Sequence, residues 1–192
     1  ISAYALIIEE GTPFDKLYQQ GKITLPDEDE DRKMYHFIKT FLASKGYEQY
    51  EISNWAKNGK YCKHNISYWI REPYIGVGLG AHSFFENVRY SNETKLSEYI
   101  CAKGNLSLLQ RDKEIISYDN AIEEYMFLGL RLTKGILVKD FEERFNKDIF
   151  SIYNDQLSKW IKLGALVKEK DRIYLSDYGI DISNQVFSSF LQ

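Results

Sequence analysis

The chain has 192 residues, of which 44% are hydrophobic and 15% aromatic. That is enough apolar material for one sizeable core or two small ones, and it excludes a disordered chain. Lys and Arg number 25 against 28 Asp and Glu, a net charge of −3. No basic tract indicates by itself a nucleic-acid partner.

The first segment, residues 1–9, is apolar but too short to span a membrane, and it lacks the basic start of a signal peptide. We therefore expect a buried strand that belongs to a longer chain. Cys62 and Cys101 have no partner ligands at zinc or cluster spacing, which favours two free thiols in a reducing cytoplasm. The alternative is that Cys62, two residues before His64, helps to ligate a metal or heme.

Two helices are predicted next. The first is short, from Asp15 to Gln20, and ends at Gly21. The second lies between Pro26 and Gly46, because apolar residues recur at a spacing of three and four and acidic residues crowd its first turn. Its predicted apolar face consists of Met34, Phe37, Ile38, Phe41 and Leu42.

The region 47–102 is rich in aromatic residues, Gly and Asn, and short apolar runs predict strands at Tyr47–Ile52 and Tyr74–Leu79. Residues 96–102 are predicted to be helical. The polar stretch 103–118 reads as a linker to a separate C-terminal unit, residues 119–192.

That C-terminal unit shows a pattern of three helices followed by a hairpin. The first helix is capped by Asp119 or Asn120 and ends by Gly135. The second covers 138–145 and the third about 149–163, and a hairpin follows over 165–176. This is the order of a winged helix. The third helix presents no basic face, so a packing or lid role is favoured over DNA binding, and Trp160, Ile161 and Leu163 are expected to be packed.

Two segments carry candidate chemistry. Residues 63–69, in a loop or at the start of a strand, combine His64 and Asn65 with Tyr68 and Trp69, a set that suits a flat aromatic ligand with an axially bound metal. The alternative is a turn-capping histidine with core aromatics. Glycines alternate from Gly76 to Gly80, which on a strand lets a ligand or another backbone approach closely, and His82 follows as a second candidate contact or as a structural histidine.

The motifs that carry a family resemblance are residues 1–13, Tyr50–Ala56, His64–Trp69, Gly76–His82 and Glu124–Leu132. In this order they resemble the C-terminal half of the radical-SAM, oxygen-independent coproporphyrinogen III oxidase-like family. His-Asn-x-x-Tyr-Trp at position 64 and the histidine at position 82 are similar to the heme-chaperone branch of that family.

The resemblance implies an α/β protein, α+β in this fragment. Residues 1–46 would end a partial (β/α) radical-SAM barrel, 47–102 would form a strand and loop region, and 119–192 a winged-helix-like domain. It also implies heme, bound by His64, Asn65, Tyr68 and Trp69, and heme-acceptor proteins as partners. S-adenosylmethionine (SAM) would lie near Tyr4, Ile7 and His82, and a [4Fe–4S] cluster would be held outside this sequence.

The function that follows is a cytoplasmic heme chaperone without a transmembrane segment. The first alternative is a coproporphyrinogen III oxidase of porphyrin and heme biosynthesis, which would be inactive here because the cluster cysteines are missing. The second is a winged-helix module that binds nucleic acid, which the charge does not favour.

Overall fold

A computed structural model describes residues 1–191, which are 45% helical and 18% strand. The predicted α+β class is confirmed. The helices are α1 (Pro13–Gln19), α2 (Glu28–Ser44), α3 (Lys63–Trp69), α4 (Leu96–Cys101), α5 (Leu106–Leu109), α6 (Tyr118–Gly129), α7 (Val138–Phe145), α8 (Ile149–Lys162), α9 (Asp177–Asp181) and α10 (Ser183–Ser188). The strands are β1 (Glu48–Glu51), β2 (Asn54–Ala56), β3 (His82–Phe85), β4 (Val88–Asn92), β5 (Gln110–Ile115), β6 (Ile136–Leu137), β7 (Leu166–Glu169) and β8 (Arg172–Leu175).

The prediction of a buried strand at residues 1–9 is wrong. This segment meets the β1–β2 hairpin at a single bridge, between Ser2 and Asn54. Beyond the bridge the backbone is irregular, and large apolar side chains such as Ile7 remain exposed. A strand needs a hydrogen-bonded neighbour along its length, and only the first residues find one here.

Helix α2 confirms the predicted second helix. Asp27 caps its first turn by accepting a hydrogen bond from the Glu30 amide at 2.8 Å, and the chain leaves it through Gly46 in a left-handed conformation. Of the predicted apolar face only Leu42 is fully buried, whereas Phe37 is 68% exposed. The helix packs on β1, so one part of its apolar surface is covered and the rest is not.

The middle of the chain forms an antiparallel sheet in the order β3-β4-β5. The predicted linker, 103–118, contains α5 and β5, and β5 pairs with β4 from Val88 to Asn92, so this segment is part of the sheet. The strand predicted at 74–79 is also wrong, because Tyr74 alone forms a bridge, with Phe84. Residues 75–80 form an irregular loop.

The glycines of that loop allow a close approach of another backbone, as expected, but they do so in a turn and not on a strand. Gly78 and Gly80 have positive φ angles of 110° and 65°. A Cβ at Gly76 would lie 2.2 Å from the carbonyl oxygen of His82. The Asn92 side chain donates to the carbonyls of Gly76 and Gly78 at 3.2 and 2.8 Å, which ties the loop to β4.

The C-terminal region has the winged-helix order that was predicted, with α6, β6, α7 and α8 followed by the β7–β8 hairpin, and its sheet has the order β6-β8-β7. Ser117 caps α6 by accepting from the Asn120 amide at 3.1 Å, so the predicted caps Asp119 and Asn120 are wrong by two or three residues. The helix also ends earlier than predicted, at Gly129.

The main core lies in this region. Most of its fully buried side chains come from α6, α7, α8 and the wing, and Phe84 of β3 joins them. Trp160 is buried and Ile161 half-buried as expected, but Leu163 at the end of α8 is 52% exposed. Among residues 1–191, no helix has both the length and the apolar character needed to cross a membrane.

Candidate heme-binding site

The segment predicted to bind a planar ligand is a helix, not a loop or strand start. Helix α3 begins after Cys62 and ends at Trp69. With 3.6 residues per turn, His64 and Tyr68 lie on the same side, while Trp69 lies about 140° around the helix from His64. The four predicted residues are therefore divided between two sides of α3.

The first side carries an ordered histidine. His64 is exposed, and its Nε2 atom lies 2.9 Å from the hydroxyl of half-buried Tyr68. The two rings meet edge to face with centroids 4.9 Å apart, and Tyr68 in turn packs edge to face on Tyr74 at 4.7 Å. Tyr74 then approaches Phe84 of the core at 6.4 Å. Tyr68, rather than Asn65, is thus the side chain that fixes the imidazole.

The second side of α3 faces the C-terminal region. Half-buried Asn65 lies one turn before Trp69, and the guanidinium of Arg131 stands over the Trp69 ring at 4.5 Å. Trp69 lines an open cavity of about 560 Å³ between the end of α3 and the α6–α7 region. Tyr125 lines it as well, and burial raises the pKa of Tyr125 to about 12.

An ion-pair network holds Arg71, which lies two residues after the end of α3. Arg71 donates from Nε to Glu124 at 2.7 Å, and Arg89 of β4 donates to the other carboxylate oxygen at 2.9 Å. Burial lowers the pKa of Arg89, but the hydrogen bond and charge of Glu124 outweigh it, so that the pKa is raised overall. Both guanidinium groups also approach the Phe84 ring, at 4.8 and 5.7 Å.

Sequence reasoning missed Arg71, Arg89 and Glu124. Glu124 lies among residues that are buried on α6, where an unpaired carboxylate is costly, and that burial is visible only in the structure. Its partners could not be read from the sequence, since Arg71 and Arg89 are 53 and 35 residues away.

In the described part of the chain, no hydrogen bond or ring contact joins the three residues expected on the SAM side. The Tyr4 hydroxyl accepts from the Asn54 side chain at 3.0 Å, and Ile7 is 74% exposed. His82 is exposed on β3, where it pairs with Ser91. Their assignment to SAM stays a prediction.

Cys62 and Cys101 are free and exposed, and they belong to different parts of the fold. Within residues 1–191, no group of three or more His, Cys, Asp or Glu residues could hold a metal ion. The residues present therefore do not fit an iron–sulfur cluster.

The comparisons with known proteins agree with the resemblance predicted from the sequence. Residues 116–182 match the family described as the HemN C-terminal domain. The chain is 37% identical over 191 residues to a heme chaperone HemW of Lactococcus lactis, covering 100% of this chain and 50% of that protein. A heme chaperone HemW of Bacillus subtilis is 35% identical over 190 residues, covering 99% and 50%.

The chain is similar to the C-terminal part of HemN-like, coproporphyrinogen-oxidase-like proteins. It is similar to heme chaperones along its whole length, as predicted. It spans about half the length of these relatives. The solved coproporphyrinogen III oxidase HemN of Escherichia coli, described as a radical SAM enzyme, has the same fold over 93% of this chain and 45% of its own, with a TM-score of 0.68 and 16% identity.

Proposed function

We propose that this chain is the heme-binding C-terminal part of a radical-SAM-family heme chaperone, with His64 as the axial ligand. The observation that carries the proposal is the exposed imidazole of His64, held by Tyr68 on a short helix. The similarity to heme chaperones over the whole chain supports it. An imidazole that is both ordered and open to solvent suits a ligand that must be taken up and given away.

The hydrogen bond to Tyr68 bears on how His64 would meet the iron. If Nε2 carries the proton, it donates to the Tyr68 oxygen, and Nδ1 presents its lone pair to the iron. If Nε2 is bare, it accepts from the Tyr68 hydroxyl, and the iron has to replace that bond. In either case Tyr68 sets the orientation of the ring before the ligand arrives.

The loop after Tyr74 supplies an apolar surface of the kind that a porphyrin face covers. Ile75 and Val77 are 62% and 89% exposed, and Leu79 is 44% exposed. Tyr74 contacts Tyr68 directly, so this loop starts beside the His64 side of α3. Trp69, by contrast, is engaged with Arg131, and its role in this proposal is to anchor the helix. Asn65 lies on that same side of α3.

The wider activity belongs to this proposal too. SAM would lie on the side of Tyr4, Ile7 and His82, the cluster would be held by a region outside the present sequence, and the heme would pass to an acceptor protein in the cytoplasm. An exposed single-histidine site favours transfer, because the acceptor can approach the heme while one ligand still holds it.

The experiment that tests the proposal is heme uptake followed by transfer. Hemin is titrated into the 192-residue chain and followed by its Soret band, and the loaded chain is then mixed with apomyoglobin as a heme acceptor. We expect saturable binding with a histidine-type Soret shift, and movement of heme to apomyoglobin. Absence of binding, or the same spectrum with a variant that lacks His64, would contradict the assignment.

A further inference from the structure

The segment Glu124–Leu132 at the end of α6 is one of the motifs singled out from the sequence, and heme ligation does not explain it. We propose that Glu124 and Arg131 are positioning residues, which hold the C-terminal end of α3 and so determine where His64 stands. The structural part of this inference stands on its own contacts, and its consequence for heme rests on the proposed function.

Helix α3 cannot hold its own shape. It has seven residues, and no side chain caps its first turn. Isolated helices of this length do not persist in water, because the cost of nucleation is not recovered over so few hydrogen bonds. Its order must therefore come from contacts with the rest of the fold, and α3 packs against α6.

Glu124 supplies the first of these contacts. Its carboxylate is shared by Arg71 and Arg89, and the side chains of Glu124 and Arg71 are 11% and 6% exposed. Arg71 adopts a left-handed backbone conformation with φ of 55°, and its amide and that of Glu72 bond back to the carbonyls of Tyr68 and Ser67, so Arg71 closes the C-terminal end of α3. Neutralising Glu124 would remove the carboxylate that pairs with buried Arg71, whereas Arg89 would keep Glu114 at 3.5 Å, so the loss at Arg71 would be large.

Arg131 supplies the second contact, just beyond the end of α6. Its guanidinium lies 4.5 Å from the Trp69 ring centroid, in the geometry of a cation–π pair. Its own backbone is fixed as well, because its carbonyl accepts from the Ile52 amide at 3.1 Å. Arg131 thus holds Trp69, the last residue of α3, and Glu124 holds Arg71, two residues after the helix. The opposite end of α3, which carries His64, remains exposed.

The test compares Glu124→Gln with a control variant in the core, Ile149→Val, which removes one methyl group from a fully buried side chain of α8. Hydrogen exchange is measured at the Ile70 amide, which bonds to the Ile66 carbonyl within and just after α3. We expect Glu124→Gln to exchange at this amide at least tenfold faster than Ile149→Val once the two variants are compared at equal distance below their melting temperatures.

Hemin affinity is the second readout. Glu124→Gln should weaken it at least tenfold, and Ile149→Val should stay within twofold of the wild type. Arg131→Lys keeps the charge but loses the planar group over Trp69, so it should show the same two effects at a smaller size, and it covers the case in which Glu124→Gln does not fold.

The outcomes separate the two proposals. Equal exchange at Ile70 in the variants and in Ile149→Val would overturn the positioning role, whatever happens to heme. Fast exchange together with unchanged hemin affinity would also overturn it. Wild type that binds no hemin would contradict the proposed function, and the exchange result would then decide the structural claim alone.

Discussion

The two ends of this chain have similar apolar material but very different packing. In the C-terminal region, α6, α7, α8 and the wing enclose a core in which residues such as Met126, Phe141 and Leu157 are fully buried. In residues 1–46 only Leu42 is buried among the hydrophobic side chains, and Ile7 and Phe37 are largely exposed.

The difference shows that apolar periodicity identifies the side of an element that can be buried. It does not show that this side is buried. Helix α2 follows the amphipathic pattern and forms as predicted, yet only part of its apolar surface is covered: half-buried Tyr35 packs against the main core, and polar pairs make further contacts with the C-terminal region. His36 and Arg32 reach Asp181 at 3.0 and 3.6 Å. Exposed pairs of this kind contribute little, so the stability of the chain should reside in its C-terminal core.

The largest expected effect is at Phe141, which is fully buried in α7 and packs edge to face on Tyr125 and at a tilt on Phe145. Phe141→Ala should lower the free energy of unfolding by about 3–5 kcal/mol, through lost burial and the cavity left behind. Phe37→Ala on α2 is the matched control and should change it by less than about 0.5 kcal/mol. Urea denaturation measures both, and similar losses for the two would break the contrast between the regions.

A second large effect is expected at Gly135, in the turn before β6. Its φ is +59°, and an added Cβ would lie 2.0 Å from the Ile173 carbonyl oxygen. Gly135→Ala should therefore cost at least about 2 kcal/mol, from the left-handed conformation and the displaced strand. Gly21→Ala is a useful comparison, because Gly21 also has a positive φ but open space around it, so its cost should be about 1 kcal/mol. Equal melting temperatures for the two variants would contradict this account.

Alkaline pH should act on the same core. Burial raises the pKa of Tyr125 to about 12 from its ordinary value of 10.0, because the neutral phenol is favoured in the folded state. The resulting stabilisation is complete below pH 10 and is lost as the pH rises from 10 through 12, up to about 2–3 kcal/mol. The unfolding free energy of Tyr125→Phe should fall less steeply over that range, and parallel curves for variant and wild type would argue against the buried phenol as the cause.

The smallest effect is expected where α2 meets α9. Lys39 and Asp177 form an ion pair at 2.5 Å, but the Asp177 side chain is 74% exposed. Lys39→Met should lower the free energy of unfolding by less than about 1 kcal/mol, and added salt should diminish the difference. A larger loss of unfolding free energy that does not respond to salt would mean that residues 1–46 are held more firmly than their packing indicates.

What the sequence could predict follows from which interactions are local. Helices α7 and α8 and the β7–β8 hairpin were predicted closely because their periodicity and turns are contained within each element. The predictions of a strand at 1–9 and of a linker at 103–118 were wrong because the structure of each segment depends on a partner elsewhere in the chain. That partner is Asn54 for the first segment and β4 for the second. The same reasoning explains α3, whose seven residues are helical through contacts with α6 rather than through their own pattern.

The candidate site, too, could be predicted from the sequence only in part. Residue types at His64, Tyr68 and Trp69 indicated a planar ligand, but only the structure shows that Tyr68 holds His64 and that Trp69 turns to Arg131. The buried network of Arg71, Arg89 and Glu124 joins residues that are far apart in sequence.

The most direct test of the central claim uses the three histidines of the chain. Hemin is titrated into His64→Ala, His82→Ala and His36→Ala, after circular dichroism has shown that each variant is folded. All three histidines are at least partly exposed, so the substitutions should leave the fold intact. We predict that His64→Ala alone weakens hemin binding or shifts the Soret band, whereas an unchanged spectrum for His64→Ala with a changed one for His82→Ala would contradict the account.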